Sequence, residues 1–218
     1  MRSKGLRIQS LKAVHPLIEI GVFALRGVGL GALVAVFIAG LVVGYYVALH
    51  VAAPGVQQPA VPEGGVFFLP DRAYYGNLTY YLDRANKSVY VVMYVVKYDP
   101  SYPDDPVNKL LRKLVDLYKK GVDVRVVVDD QTLISYPDTI NYLVQNGVPV
   151  KLDESKSVTT HAKIVIIDGK YVFIGSHNWT ESALTRNHET TLLVDSTKLA
   201  QEVTSYFESI WSSGRPPT

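Results

Sequence analysis

The sequence predicts an α/β fold, a mixed sheet flanked by helices and preceded by one N-terminal transmembrane helix. From residue 66 onward, short β-branched runs alternate with amphipathic stretches in a β-α-β-α-β order. The dipeptide Asp168-Gly169 lies between two β runs and is typical of a tight hairpin turn. Residues 27 to 49 contain no charged side chain. A chain of 218 residues has room for one ordinary domain and an appendage.

The charge-free segment is long enough to cross a membrane. As a helix, residues 27 to 49 would extend about 33 Å at roughly 1.5 Å per residue, and the hydrocarbon core of a bilayer is ~30 Å thick. We therefore predict a transmembrane helix over residues 27 to 51. A cleaved signal peptide is the main alternative, but its apolar region is normally about 7 to 15 residues. A buried core helix is the other alternative.

The flanks of this segment predict its orientation. Residues 1 to 26 are basic, whereas residues 50 to 70 carry no Lys or Arg. The excess of positive charge predicts a cytoplasmic N-terminus, a single-pass protein of the cell membrane and an extracytoplasmic C-terminal domain. Residues 52 to 65 are rich in proline and glycine, which predicts a linker. The folded domain is therefore predicted over residues 66 to 218.

Hydrophobic periodicity predicts the elements of this domain. Apolar residues spaced like Leu110, Leu114 and Leu117 indicate the inward face of a helix, and β-branched runs bounded by Gly or Pro indicate strands. A helix is predicted to begin after Asp71 as its N-cap. Strands are predicted over residues 66–69, 88–98, 122–128, 148–152, 162–168, 170–174 and 190–194, and helices over 74–86, 107–120, 138–146, 180–185 and 198–211.

The predicted hairpin brings several polar side chains to one of its ends. Because side chains alternate along a strand, His161 and Lys163 point the same way. Gly175 and Ser176 end the returning strand, and Asn178 follows them. An imidazole, a fixed cation, a hydroxyl and an amide are the groups that a phosphodiester needs for nucleophilic attack and charge neutralisation.

These residues carry a resemblance to a known family. The pattern resembles the HKD motif of the phospholipase D superfamily, and it consists of His161, Lys163, Asp168, Gly175, Ser176 and Asn178. From about residue 65 to 211, the order of elements is similar to that of the small bacterial single-HKD endonucleases called Nuc. One motif is present, whereas true phospholipases D usually carry two.

The resemblance implies a role for each polar side chain. His161 would be catalytic and would attack phosphorus to give a phosphohistidine. Lys163 and Asn178 would also be catalytic and, with Ser176, would bind the phosphoryl oxygens. Glu189, in a segment that resembles the downstream element of the family, would be a catalytic residue that hydrogen-bonds His161 and fixes its tautomer.

Two further residues of the motif have structural interpretations. Asp168 belongs to an ordinary hairpin turn, so we predict a structural role for it, as for Gly175.

Asp129 and Asp130 end a strand, where a metal could bind, but no partner cluster accompanies them and they are interpreted as structural. Neither a metal nor another cofactor is expected, because the superfamily members that the chain resembles work without metal.

The resemblance therefore implies a metal-independent hydrolase, an endonuclease acting on DNA or RNA. One motif supplies one histidine, so a second His161 as general acid implies a homodimer with a shared site. A membrane phospholipase acting on phospholipid head groups is the alternative, and a non-catalytic nucleic-acid or lipid-binding module is a third. Residues 66 to 218 hold 17 Lys and Arg and 18 Asp and Glu, a balance that counts against tight non-specific binding of nucleic acid.

Overall fold

The computed structural model of the chain describes residues 29 to 50 and 64 to 217. The second range contains a seven-stranded sheet in the order β1-β7-β6-β5-β2-β3-β4. Its strands are β1 (Val66–Pro70), β2 (Ser88–Met93), β3 (Asp123–Val128), β4 (Val150–Leu152), β5 (Lys163–Ile167), β6 (Tyr171–Gly175) and β7 (Thr190–Asp195). β2, β3 and β4 are parallel, and every other neighbouring pair is antiparallel. The predicted mixed α/β architecture is confirmed.

Seven helices are described. Helix α1 lies in the first range, and the other six connect or follow the strands of the sheet. They are α1 (Leu30–His50), α2 (Ala73–Leu82), α3 (Pro106–Lys119), α4 (Asp130–Ser135), α5 (Pro137–Gln145), α6 (Glu181–Thr185) and α7 (Thr197–Ser213).

Both faces of the sheet are covered by helices. One face packs against α2, α3 and α5 in a core whose largest buried members include Leu78, Leu110, Leu114, Leu143 and Phe173. The opposite face packs against α7, where Ala200 and Phe207 contact the buried side chains of β2, β3, β5 and β6. The central strands are therefore buried on both faces, which explains their nearly continuous β-branched sequences.

The Asp168-Gly169 turn has the predicted hairpin geometry. Asp168 has φ +55° and Gly169 has φ +61°, as a type I′ turn requires at both central positions. The Asp168 carboxylate also accepts hydrogen bonds from the backbone N–H groups of Asn86, Lys87 and Ser88 at 2.8 to 3.2 Å. It thus ties the hairpin to the start of β2.

Replacing Asp168 with Ala is expected to lower the free energy of unfolding by about 2 to 3 kcal/mol, because the backbone donors lose their charged acceptor. Alanine also tolerates the left-handed turn poorly. Asp168→Asn is the matched control, since Asn accepts the same turn geometry and retains one acceptor oxygen. Urea unfolding of the two variants measures the difference, and equal midpoints would contradict this role.

Two predicted elements end earlier in the structure than in the sequence pattern. Helix α2 stops at Leu82 rather than at residue 86, and β2 stops at Met93 rather than at residue 98. After Met93 the chain leaves the sheet, although Val96 still forms an isolated bridge with Trp179. Val96 is buried in the main core although it lies outside the strand, so burial of this residue does not imply a longer strand.

Helix α4 was not predicted. Asp129 accepts a hydrogen bond from Gln131 N at 2.8 Å and caps this helix. Six residues are too few to display helical periodicity.

Asp71 was predicted as the cap of α2, but the N-cap residue is Arg72, which makes no side-chain cap hydrogen bond. Asp71 instead contacts the segment before β7, as described below.

Helix α1 occupies most of the segment predicted to cross a membrane. Within residues 29 to 50 and 64 to 217, no helix combines the length and apolarity needed to cross a membrane. On this finding, the predicted transmembrane helix over residues 27 to 51 and the predicted single-pass localisation in the cell membrane are wrong.

The basic segment over residues 1 to 26 lies outside the described residues, as does the predicted linker up to residue 63. These two domain assignments therefore stay predictions.

Candidate active site

Six of the polar and glycine positions singled out in the sequence line one open cavity of about 310 Å³: His161, Lys163, Gly175, Ser176, Asn178 and Glu189. They meet because β5 starts, β6 ends and β7 starts at the same edge of the sheet. The parallel strands β2, β3 and β4 also end at this edge. The lining contains no aliphatic or aromatic side chain other than the imidazole.

His161 lines the cavity and lies two residues before the start of β5. Its side chain is exposed, and its ring lies 4.5 Å from the ring of Tyr94 at an interplanar angle of 58°. Thr160, the preceding residue, is buried and donates its N–H to the Asp129 carboxylate at 2.7 Å. The imidazole is thus accessible, while the hydrogen bond between Thr160 N and Asp129 restrains the backbone next to it.

Lys163 is the cation of the site. Its ammonium is largely buried, donates to the backbone carbonyl of His161 at 2.8 Å and lies 4.8 Å from the centre of the Tyr94 ring. Burial lowers the pKa of Lys163, and the nearby carboxylates of Glu189 and Asp129 oppose that decrease. Lys163 therefore places a positive charge in the cavity and also restrains the backbone of the histidine.

Tyr94 was not identified from the sequence, although it contacts both His161 and Lys163. It follows β2, and its backbone N–H donates to the Ala162 carbonyl at 3.0 Å. Its position just beyond a strand end is a weak signal that many residues share. Its role depends on the β2–β5 pairing, which brings together residues far apart in sequence.

Glu189 lies in the cavity but does not make the predicted hydrogen bond to His161. Its Oε2 accepts from the Ser176 hydroxyl at 2.5 Å, and its Oε1 accepts from the Asn187 amide at 3.0 Å. Ser176 Oγ in turn accepts from Thr190 N at 3.0 Å. Because both carboxylate oxygens are engaged, Glu189 orients Ser176 in this chain.

Gly175 is required by close backbone packing. A Cβ atom at this position would collide with the carbonyl oxygen of Thr190 and the backbone of Thr191 on β7. Glycine lets β6 reach the site edge in register with β7. Its predicted structural role agrees with this packing.

Asn178 presents an amide to the cavity. Its Oδ1 is buried and has no hydrogen-bond partner in the described part of the chain. A buried amide oxygen without a donor is uncommon. Trp179, the next residue, is fully buried and anchors the segment through Nε1, which donates to the Tyr74 hydroxyl at 3.0 Å.

Asp71 holds the segment that carries Glu189. The Asp71 carboxylate accepts from Glu189 N at 2.9 Å, and Asp71 N donates to the Glu189 carbonyl at 2.8 Å. The hydrogen bond from the Glu189 amide is the main reason why the pKa of Asp71 is lowered. The reach from Asp71 to Glu189 spans 118 positions, so the sequence offered no local signal for it.

His177 is a structural neighbour of the site. It is buried, its Nε2 donates to the Asp71 carbonyl at 2.8 Å, and its Nδ1 accepts from the Thr191 hydroxyl at 2.8 Å. Its ring stacks on Tyr74 at 4.3 Å, and burial lowers its pKa. The Asp71 carbonyl requires a proton on Nε2, and the lowered pKa favours the neutral ring.

Asp168 is separated from the other motif residues. It lies at the turn end of the β5–β6 hairpin, whereas the cavity lies at the opposite end. Among residues 29 to 50 and 64 to 217, no group of three or more His, Asp or Glu side chains is arranged to hold a metal ion.

Comparison with protein families places residues 78 to 211 in the family described as "Cardiolipin synthase, PLD-like domain". The chain is also similar to the mitochondrial cardiolipin hydrolase of Xenopus laevis. The two are 34% identical over 109 residues, which is 50% of this chain and 51% of that protein. The chain thus spans about half the length of the curated relatives of this kind that it matches.

Two solved structures share the fold over most of their length. Nuc from Salmonella typhimurium, a phospholipase D family member, has a TM-score of 0.59 and 26% identity, covering 69% of this chain and 96% of that one. NucT from Helicobacter pylori has a TM-score of 0.54 and 23% identity, covering 70% and 98%.

Proposed function

The chain belongs to the phospholipase D superfamily, and we propose that it is an endonuclease that hydrolyses DNA or RNA with His161 as the nucleophile. The observation that carries the proposal is the single cavity shared by an accessible imidazole, a buried ammonium, a hydroxyl and an amide. The lining of the cavity is polar, which favours a phosphodiester whose neighbouring groups are polar, as the sugars of a nucleic acid are. The similarity to Nuc, which extends over nearly all of that chain, also supports it.

The proposed reaction proceeds in two steps. A neutral His161 nitrogen forms a bond to phosphorus while the P–O bond to the leaving group breaks, and the leaving oxygen takes a proton from a second, protonated imidazole. Water then attacks the phosphohistidine, its proton passes to the second imidazole, and the N–P bond breaks. Histidine can serve in both roles because its charge changes near neutral pH.

Three side chains would stabilise the charge that develops on the phosphoryl oxygens. Lys163 supplies a fixed positive charge and the Asn178 amide supplies a directional donor, and the Ser176 hydroxyl would turn its proton from Glu189 to a phosphoryl oxygen when substrate binds. Donors that are already oriented stabilise a transition state without reorganisation, and removal of one typically costs about 10²- to 10³-fold in rate. The role of Glu189 would be to keep Ser176 oriented.

The second imidazole would come from a second copy of the chain. Among the described residues, the cavity is lined by a single histidine, so one copy offers either the nucleophile or the acid. Beside the cavity, the sheet face carries three exposed apolar side chains that are paired across neighbouring strands: Phe68, Ile174 and Leu192. This apolar face is continuous with the site through Gly175, and a two-fold dimer would cover it in both copies.

Mixed dimers test the shared site. A heterodimer of wild-type and His161→Asn chains keeps only one of the two imidazoles, so we expect it to be nearly inactive. Co-refolding equal amounts of the two chains should then leave roughly a quarter of the wild-type activity, by random pairing. Activity that follows the wild-type fraction linearly, with chain exchange confirmed, would show that each chain works alone.

Disruption of the apolar face provides a second test of the dimer. Leu192→Asp should yield a monomer in sedimentation velocity and abolish activity. Val144→Asp, a matched change at an exposed position on α5, should leave both unchanged. An active monomer of the Leu192 variant would rule out the shared site.

A phospholipase is the second candidate, because curated relatives are named mitochondrial cardiolipin hydrolases. The same chemistry would then cleave the phosphodiester of a lipid head group.

One assay separates the candidates: the purified chain is incubated with DNA, RNA and cardiolipin-containing vesicles in excess chelator. Cleavage of nucleic acid supports the proposal, cleavage of lipid alone supports the phospholipase, and no cleavage of any substrate favours a binding module. Activity that appears only when a divalent metal is restored would contradict the metal-independent mechanism.

A further inference from the structure

Two buried carboxyl groups lie behind His161. Asp129 follows β3 and Asp153 follows β4, and the last residues of these strands, Val128 and Leu152, are paired in the sheet. Asp129 is 5% exposed and Asp153 is completely buried. The sheet register therefore brings two acidic side chains together in the interior, next to the candidate site.

Each oxygen of the Asp129 carboxylate accepts a hydrogen bond from a backbone N–H group. Its Oδ2 accepts from Thr160 N at 2.7 Å, and its Oδ1 accepts from Gln131 N at 2.8 Å. Hydrogen bonds from two backbone N–H groups favour the ionised form of a carboxyl group. Because Thr160 immediately precedes His161, an anionic Asp129 restrains the backbone on which the imidazole is carried.

Asp153 is satisfied only in part. Its Oδ1 lies 3.4 Å from the Arg215 guanidinium, which also forms a two-oxygen ion pair with Asp130 at 2.8 and 2.9 Å. Its Oδ2 has no donor within the described residues. A buried anionic oxygen without a donor is costly, whereas a protonated carboxyl becomes a donor itself. The carboxylate that the β3–β4 register places beside it is that of Asp129, which can accept this proton.

We propose that Asp153 carries a proton that it shares with Asp129, and that this carboxyl pair is a positioning element that fixes the Thr160 amide and thereby His161. The catalytic consequence rests on the proposed role of His161 as nucleophile. Burial, followed by the hydrogen bond with Asp129, raises the pKa of Asp153 to about 6.

Ionisation of Asp153 would loosen this arrangement. The Thr160 amide also favours the ionised form of Asp153, so a second anion would compete with Asp129 for the same N–H. The other charged groups facing the pair are Asp130 and Arg215, which neutralise each other, and Lys163, which is attracted to Asp129. We therefore expect the Thr160 amide to be held tightly below about pH 6 and less tightly above it.

The NMR resonance of the Thr160 amide in the full-length chain reports directly on the hydrogen bond between Thr160 N and Asp129. In the wild type, its chemical shift should change between pH 5 and pH 8 with a midpoint of about 6. Asp153→Asn keeps an uncharged donor at this position and should abolish the change. Asp104→Asn removes a carboxylate that is 94% exposed and should preserve it. A flat wild-type titration, or an unchanged step in the Asp153 variant, overturns the proposal.

Two kinetic measurements separate positioning from general support of the fold. The kcat ratio of Asp153→Asn to wild type should rise several-fold from pH 5 to pH 8 with KM unchanged, because any pH dependence that the two chains share cancels in the ratio. Asp129→Asn should lower kcat about tenfold with KM unchanged, since it weakens a charge-assisted hydrogen bond. A flat ratio, or a change in KM alone, contradicts a positioning role.

Stability provides a readout that does not need activity. The unfolded chain releases the Asp153 proton near the ordinary value of 3.8, and the folded chain keeps it up to about pH 6. Folding is therefore disfavoured progressively through this window as pH rises. The Tm of Asp153→Asn minus the Tm of the wild type should increase from pH 4 to pH 7. A difference that stays constant over this range would count against the shared proton. If the chain cleaves no phosphodiester, the amide and Tm measurements still decide this proposal separately.

Discussion

Replacing His161 with Asn is expected to lower phosphodiester cleavage by at least about 10⁴-fold, because the side chain is proposed both to attack phosphorus and to protonate the leaving group. The variant should fold normally, since this imidazole is exposed and its contact is with Tyr94. Single-turnover assays on labelled oligonucleotides, together with circular dichroism of the variant, measure the two expectations.

His188→Asn is the matched control. His188 lies close to the site in sequence but is 94% exposed, and its ring makes one polar contact, with Asp71 at 3.2 Å. We expect its activity to stay within about threefold of the wild type, in keeping with the small effects of most surface substitutions. Comparable losses in the two variants would mean that His161 has no special role.

Replacing Lys163 with Gln should lower kcat by about 10²- to 10³-fold, because the variant loses a buried positive charge at the phosphate site. The loss also removes the hydrogen bond that Lys163 donates to the His161 carbonyl. Lys163→Arg should recover only part of the activity, since a planar guanidinium differs in shape and reach from an ammonium. Steady-state kinetics on an oligonucleotide substrate measure these changes.

Lys120→Gln provides the control for charge alone. Lys120 is exposed at the end of α3, and its replacement should leave kcat unchanged. A Lys163→Gln variant that retained full kcat and showed only an increased KM would contradict transition-state stabilisation and would assign Lys163 to substrate binding.

The elements predicted correctly from the sequence are those specified by local patterns. The β5–β6 hairpin follows from two β-branched runs around Asp168-Gly169, and α3 follows from its regularly spaced leucines. The cavity residues could also be predicted, because the hairpin brings positions 161 and 163 to the same edge as positions 175 to 178.

The predictions that failed depended on contacts between distant parts of the chain. The hydrogen bond of Glu189 goes to Ser176 rather than to His161, and Asp71 binds Glu189 N instead of capping a helix. The contacts of Tyr94 likewise arise from pairing between separate strands. No local pattern encodes such pairings, so the composition of the cavity was predictable and the supporting network was not.

The most direct test of the account is to trap the covalent intermediate. Full-length protein is mixed with an oligonucleotide carrying a labelled internal phosphate, quenched with alkali within the first turnover, and analysed by mass spectrometry. We expect an acid-labile, alkali-stable adduct on His161 that is absent from the His161→Asn variant. Efficient cleavage without any adduct, or an adduct on another residue, would contradict the proposal that His161 is the nucleophile.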